Sequence, residues 1–164
     1  MWKPITAMLL TIVSLSSFAS DITKPEVFRF GAPLADIQSE LTNHCDYLTV
    51  QNINPITAPL ARHSQQQINC MGFEYAGQKR LIELVFQDDQ LDLVWILIPE
   101  AELPTLRDNF RQAFGMPTLS IAWGSVYLQH NMGIREKPSE VLFASQRQVN
   151  AMLNIMKTAQ GQQP

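Results

Sequence analysis

QINCMGFEYAGQKRLIELVFQDDQLDLVWILI, residues 67–98, decides the fold class. Three apolar runs are separated by two tight turns. Gln67 to Tyr75 alternates, with Met71, Phe73 and Tyr75 on one face and Ile68 and Cys70 on the other. Ala76-Gly77-Gln78 is a turn, Arg80 to Gln87 is the next strand, and Asp88-Asp89-Gln90 is a second turn. Connections this short join antiparallel neighbours. Leu91 to Ile98 is a third strand, with Leu91, Leu93, Trp95 and Leu97 on one face and Val94, Ile96 and Ile98 on the other. Apolar residues on both faces predict a central strand covered on both sides.

Helical periods flank this β-meander. After it, Leu103, Leu106, Phe110, Ala113 and Phe114 form one stripe, predicting a helix from about Glu102 or Pro104 to Phe114. Gly115 supplies a left-handed cap and Pro117 prevents continuation. Before it, Leu34, Ile37 and Leu41 predict a helix from about Pro33 to His44, with Pro33 at the first helical position. Tyr47 to Ile53 reads as a strand and Asn54 to Gln66, with Pro55 and Pro59, as a loop. Beyond Pro117, Thr118 to His130 is strand-rich with Gly124 as a turn or bulge. Asn131-Met132-Gly133 reads as a turn and Val141 to Ala144 as a short strand. Val149, Met152, Leu153 and Met156 predict a closing helix from Gln146 to Thr158, followed by a polar tail. The class is α+β: an antiparallel meander sheet packed by about three helices.

Glu83-Leu84-Val85-Phe86 resembles Glu140-Val141-Leu142-Phe143, and each follows a Gly/Arg pair, Gly77 with Arg80 and Gly133 with Arg135. The spacing of the helices differs from that of these strands, so a tandem helix-plus-sheet repeat would be degenerate. Leu106 to Pro117, a helix ending in Phe-Gly-Met-Pro, precedes strands carrying Trp123 and Tyr127, and Phe30-Gly31-Ala32-Pro33 echoes that ending. This arrangement resembles the small outer-membrane-assembly lipoproteins of the BamE/SmpA type. It also resembles the tandem helix-plus-sheet β-lactamase inhibitory proteins. The resemblance spans one helix and two strands, and the chain lacks the lipid-anchor Cys of the assembly family. It implies a binding module of the cell envelope rather than an enzyme.

The N-terminus has the order of a secretory signal: Lys3, then the uncharged Ile5 to Leu15, then small Ser17 and Ala19. Cleavage is expected after Ala19, leaving residues 20–164 as one exported domain, periplasmic or secreted. Ile5 to Leu15 is shorter than the ~20 apolar residues a membrane span needs. An exported chain with two cysteines, Cys45 and Cys70, is expected to bridge them. His44, Cys45, His63 and Cys70 could instead offer metal ligands, but no tight C-x₂-C pair is present. A net charge of −3, from 12 Lys+Arg against 15 Asp+Glu, is not the footprint of a nucleic-acid binder. No acid follows Glu140, so the last segment, with Arg147 and Lys157, is basic.

Signatures of catalysis are lacking: no G-x-S-x-G, no H-E-x-x-H, no Gly-rich phosphate loop. His44, His63 and His130 are scattered and read as surface histidines. Asp88, Asp89 and Asp92 could touch a cation, but a hairpin turn favours Asp for its own reasons, and calcium needs six to eight oxygens. No cofactor is expected. Trp123 and Tyr127 sit among Ser120, Gly124, Ser125, Gln129 and His130, and are the candidate binding pair. Met152 and Met156 offer an adaptable partner surface or a docking stripe. The leading expectation is a non-enzymatic interaction module with a protein partner in the cell envelope. A carrier of a small apolar ligand and an envelope hydrolase stand behind it.

Overall fold

A computed structural model describes residues 22–161, so the expected signal and cleavage point lie outside the described residues. The chain is α+β, an open eight-stranded antiparallel sheet with three helices. In order these are α1 (Leu34–Leu41), β1 (Tyr47–Asn52), β2 (Gln65–Tyr75), β3 (Gln78–Gln87), β4 (Gln90–Leu97), α2 (Leu103–Phe114), β5 (Leu119–Ile121), β6 (Gly124–Tyr127), β7 (Met132–Arg135), β8 (Glu140–Ala144) and α3 (Gln146–Gly161). The strand order is β1-β2-β3-β4-β8-β7-β6-β5. Each helix-led unit is a four-stranded meander, and the two join where β4 pairs with β8, Leu93 opposite Ala144 through Leu97 opposite Glu140.

Both hairpins of the first meander turn through two residues with positive φ, Ala76 (52°) with Gly77 (71°) and Asp88 (52°) with Asp89 (61°). This is the type I′ geometry that matches strand twist. Two bulges then correct the expected faces. At Gly72 (φ 84°) the pairing slips between Met71 and Phe73. Phe73 and Tyr75 therefore join Ile68 and Cys70 in the core, while Met71 is exposed. A Cβ on Gly72 would lie 2.2 Å from the Asp46 carboxylate, so the bulge requires glycine. In β4 the pairing skips Asp92: Val85 faces Leu93 and Phe86 faces Leu91. Leu91 thus lies on the opposite face from Leu93 and Trp95. Simple alternation fails at both points because an extra residue reverses the pleat.

The major core lies on the face covered by α1 and α2. Phe28, Ile37, Leu41, Ile82, Leu84, Phe86, Ile96, Phe110 and Phe143 are fully buried there, drawn from both units. Phe28 stacks on Phe73 at 5.3 Å, and Tyr75 meets Phe143 edge-on. α1 is shorter than expected, and Pro33 is its N-cap rather than its first helical residue. α2 carries Pro104 in its first turn and ends at Gly115 (φ 78°). The turn expected at Asn131-Met132-Gly133 is only Asn131, in left-handed conformation, and Met132–Arg135 is strand β7. The resemblance between Glu83–Phe86 and Glu140–Phe143 links β3 with β8, whereas the topology makes β8 the counterpart of β4.

Cys45 and Cys70 are bonded, so neither offers a thiolate to a metal. The bridge ties the end of α1 to β2, and closing a loop of 25 residues stabilises by about 3.5 kcal/mol in the chain-entropy picture. Inside that loop, residues 53–64 are held by side chains from the sheet. Gln65 Oε1 accepts from the Thr57 and Ala58 amides, and Gln87 Oε1 accepts from Leu60. No helix among the described residues is long and apolar enough to cross a membrane.

Candidate functional site

α3 packs on the face away from α1 and α2. Its docking begins at the Asp92 bulge, where the Asp92 carboxylate is fully buried. Ser145 Oγ donates to it at 2.6 Å and Arg147 Nε at 2.7 Å, and a second Arg147 nitrogen completes the pair. Ser145 also caps the helix, its Oγ accepting from the Gln148 amide at 3.1 Å. Gln87 joins the network, donating to Gln148 at 2.7 Å and Asp92 at 3.2 Å. The hydrogen bond and charge of Asp92 hold the Arg147 guanidinium above its ordinary pKa. Next along the helix, Val149 and Leu153 pack on Val85, Leu93, Leu142 and Ala144.

One helix cannot cover this whole face. Beside α3, over the second unit, an apolar groove of about 60 Å³ remains. Val126, Gly133, Leu142 and Ala144 contribute from β6, β7 and β8. Met152, Leu153 and Met156 come from α3, and Leu119 and Ile121 from the edge strand β5. Trp123, in the β5–β6 turn, and Trp95 add aromatic surface. Trp123 is 44% exposed, and Ile155 on α3 is also exposed. Only Asn131 and Arg135 bring hydrogen-bonding or charged groups other than indoles.

Arg135 is held from two sides. Its guanidinium lies over the Trp95 ring, 4.3 Å from the centroid, and one nitrogen pairs with the Glu140 carboxylate. Its Nε is buried and has no hydrogen-bond partner among the described residues. Burial pushes the Glu140 carboxyl above the usual glutamate range, and the hydrogen bond from Arg135 opposes that.

The expected pair is divided by the sheet. Trp123 lines the groove, but Tyr127 is buried on the other face, 5.8 Å from the Phe110 ring and 6.3 Å from Phe114. Burial raises the pKa of its hydroxyl. Arg135 was not singled out from sequence as a site residue. The available signal was alternation of Gly133 and Arg135 against buried Met132 and Ile134, obscured by the turn-like Asn-Met-Gly.

The histidines are not assembled into a site. The His44 ring lies 6.0 Å from Phe73 and the His130 ring 4.8 Å from Phe114. His63 donates its backbone amide to Asp88. Among the described residues, no hydrogen bond joins a histidine side chain to a serine or an acid. No group of three His, Cys, Asp or Glu side chains there could hold a metal. A shallow hollow beside α1 is lined by Glu26, Arg29, Glu40, His44 and Glu74, and Arg29 pairs with Glu40 at 2.5 Å. No family model, curated protein or solved structure matches the chain.

Proposed function

We propose that the protein is an exported, non-enzymatic binding module of the cell envelope that takes an apolar segment of a partner polypeptide into the groove beside α3. The observation that carries this reading is the groove itself, whose lining is almost wholly apolar and includes the exposed Trp123. Such a surface stays in water only at a cost, and covering it drives association. Met152 and Met156 suit it to partners of varied shape. A polypeptide fits better than a free ligand because the groove reaches β5, an edge strand whose outer side pairs with no other strand among the described residues. An extended segment there gains main-chain hydrogen bonds along with apolar contacts.

Panning a random dodecapeptide library on phage against residues 20–164 tests this. Selected peptides should carry alternating apolar residues. Their affinity should fall by about tenfold or more in the Ile121→Ser, Trp123→Ala double variant, a loss typical of removing an aromatic anchor. Peptides that bind this variant as well as the wild type would place binding elsewhere. A second reading, a carrier of a small apolar ligand, draws on the preformed shape of the groove. It predicts extra mass on the exported protein in native mass spectrometry.

A further inference from the structure

We propose that the segment bound in this groove carries an acidic side chain beside its apolar ones, and that Arg135 receives it. The inference rests on the reading of the groove as a peptide site.

Arg135 is the one charged side chain of the lining. A guanidinium offers five N–H donors in a planar fork. Glu140 engages one nitrogen, while Nε is unmet among the described residues. An unmet buried donor is a cost that folding alone gives no reason to accept. A carboxylate arriving at the fork would supply acceptors. The side chain is 30% exposed, so its outer nitrogens are within reach from the groove while Nε stays covered, and its position over Trp95 holds the guanidinium in place beforehand. Preset geometry of this kind reduces the ordering needed on binding.

Charge around the groove points the same way. The chain is acidic overall, yet α3, which forms one wall, contains no acid, and with Arg147 committed to Asp92 its remaining charge is Lys157. Lys157 is exposed and makes no ion pair among the described residues. Glu140 is committed to Arg135, and the nearby Glu136 pairs with Arg107. Of the acids close to Arg135, Glu83, opposite Trp95 and outside the groove lining, is the one that makes no ion pair among the described residues, so the incoming acid is placed on the groove side of the guanidinium.

The same phage library separates the two proposals, because displayed peptides offer acids only as side chains. Wild-type protein should select apolar peptides enriched in Asp or Glu. Changing that acid to its amide in a synthetic peptide should weaken binding roughly tenfold, the scale of one charge-assisted hydrogen bond. The Arg135→Gln, Glu140→Gln double variant removes both charges together and keeps a hydrogen-bonding pair, so neither charge is stranded. It should bind acid and amide peptides equally, with its thermal unfolding showing that it is folded. Groove-dependent peptides lacking acid enrichment, or indifferent to the amide change, overturn this inference and leave the groove reading standing. Selection of no peptide sensitive to Ile121 and Trp123 overturns both.

Discussion

Asp88 works as an anion surrounded by amides. Its carboxylate accepts from Ser64 at 3.0 Å, His63 at 2.7 Å and Arg62 at 3.0 Å. These bonds, Ser64 first, hold its pKa down at about 2. The folded value lies below the ordinary carboxylate value, so the stabilisation is complete above about pH 4 and is lost as pH falls through 2. The amide shifts of Arg62, His63 and Ser64, followed by NMR, should therefore titrate with a midpoint near 2. A midpoint near 4 would show that Asp88 does not hold the loop. From sequence, Asp88, Asp89 and Asp92 form one acidic knot of turn residues. In the fold they divide: Asp89 accepts from the Leu34 amide at the start of α1, while Asp92 is buried against Ser145 and Arg147. Turn chemistry was legible because it is local. The partners were not, because all of them but Gln87 lie at least 24 residues away in the chain.

Among the elements, α3 depends most on a polar contact. Its apolar stripe was legible as Val149, Met152, Leu153 and Met156, but periodicity gives a face and not a destination. The destination is set by Asp92, whose bulge both reverses the pleat and brings a carboxylate to the first turn of the helix. That bulge was hidden because Leu91 and Leu93 are both apolar, and either register satisfies the pattern. Asp92→Ala leaves Ser145, Gln87 and Arg147 without their common acceptor. Breaking a buried pair costs about 3–5 kcal/mol, and the lower end applies here because Arg147 is 40% exposed and can turn to water. Urea unfolding of Asp92→Ala should show a loss of about 3 kcal/mol. A loss below ~0.5 kcal/mol, the range of an ordinary surface change, would mean that α3 docks through its apolar stripe alone. The Cys45–Cys70 bridge was legible for a different reason, since two cysteines behind an expected export signal leave few alternatives.

Across the molecule, two helix-plus-meander units share one sheet through the β4–β8 seam. The tandem plan was visible in the sequence as helix-plus-meander units, yet the local match of Glu83–Phe86 to Glu140–Phe143 linked strands that are not equivalent. Both strands are largely buried and apolar, and that environment selects similar residues wherever it occurs. The seam has a thermodynamic consequence. Val94 and Ile96 from the first unit are buried in the same cluster as Val141 and Phe143 from the second, with α1 and α2 residues contributing to it. Neither unit therefore closes a core alone, and each would expose a central strand as an edge. Cutting between Pro99 and Glu100, at an exposed connection, should give fragments 20–99 and 100–164 without cooperative thermal unfolding on their own. Mixed in equal amounts, they should regain near-UV dichroism and a single transition, because the seam and the shared core reform together. A cooperative transition in fragment 20–99 by itself would show that the first unit is an independent domain and that the second was added to a finished core.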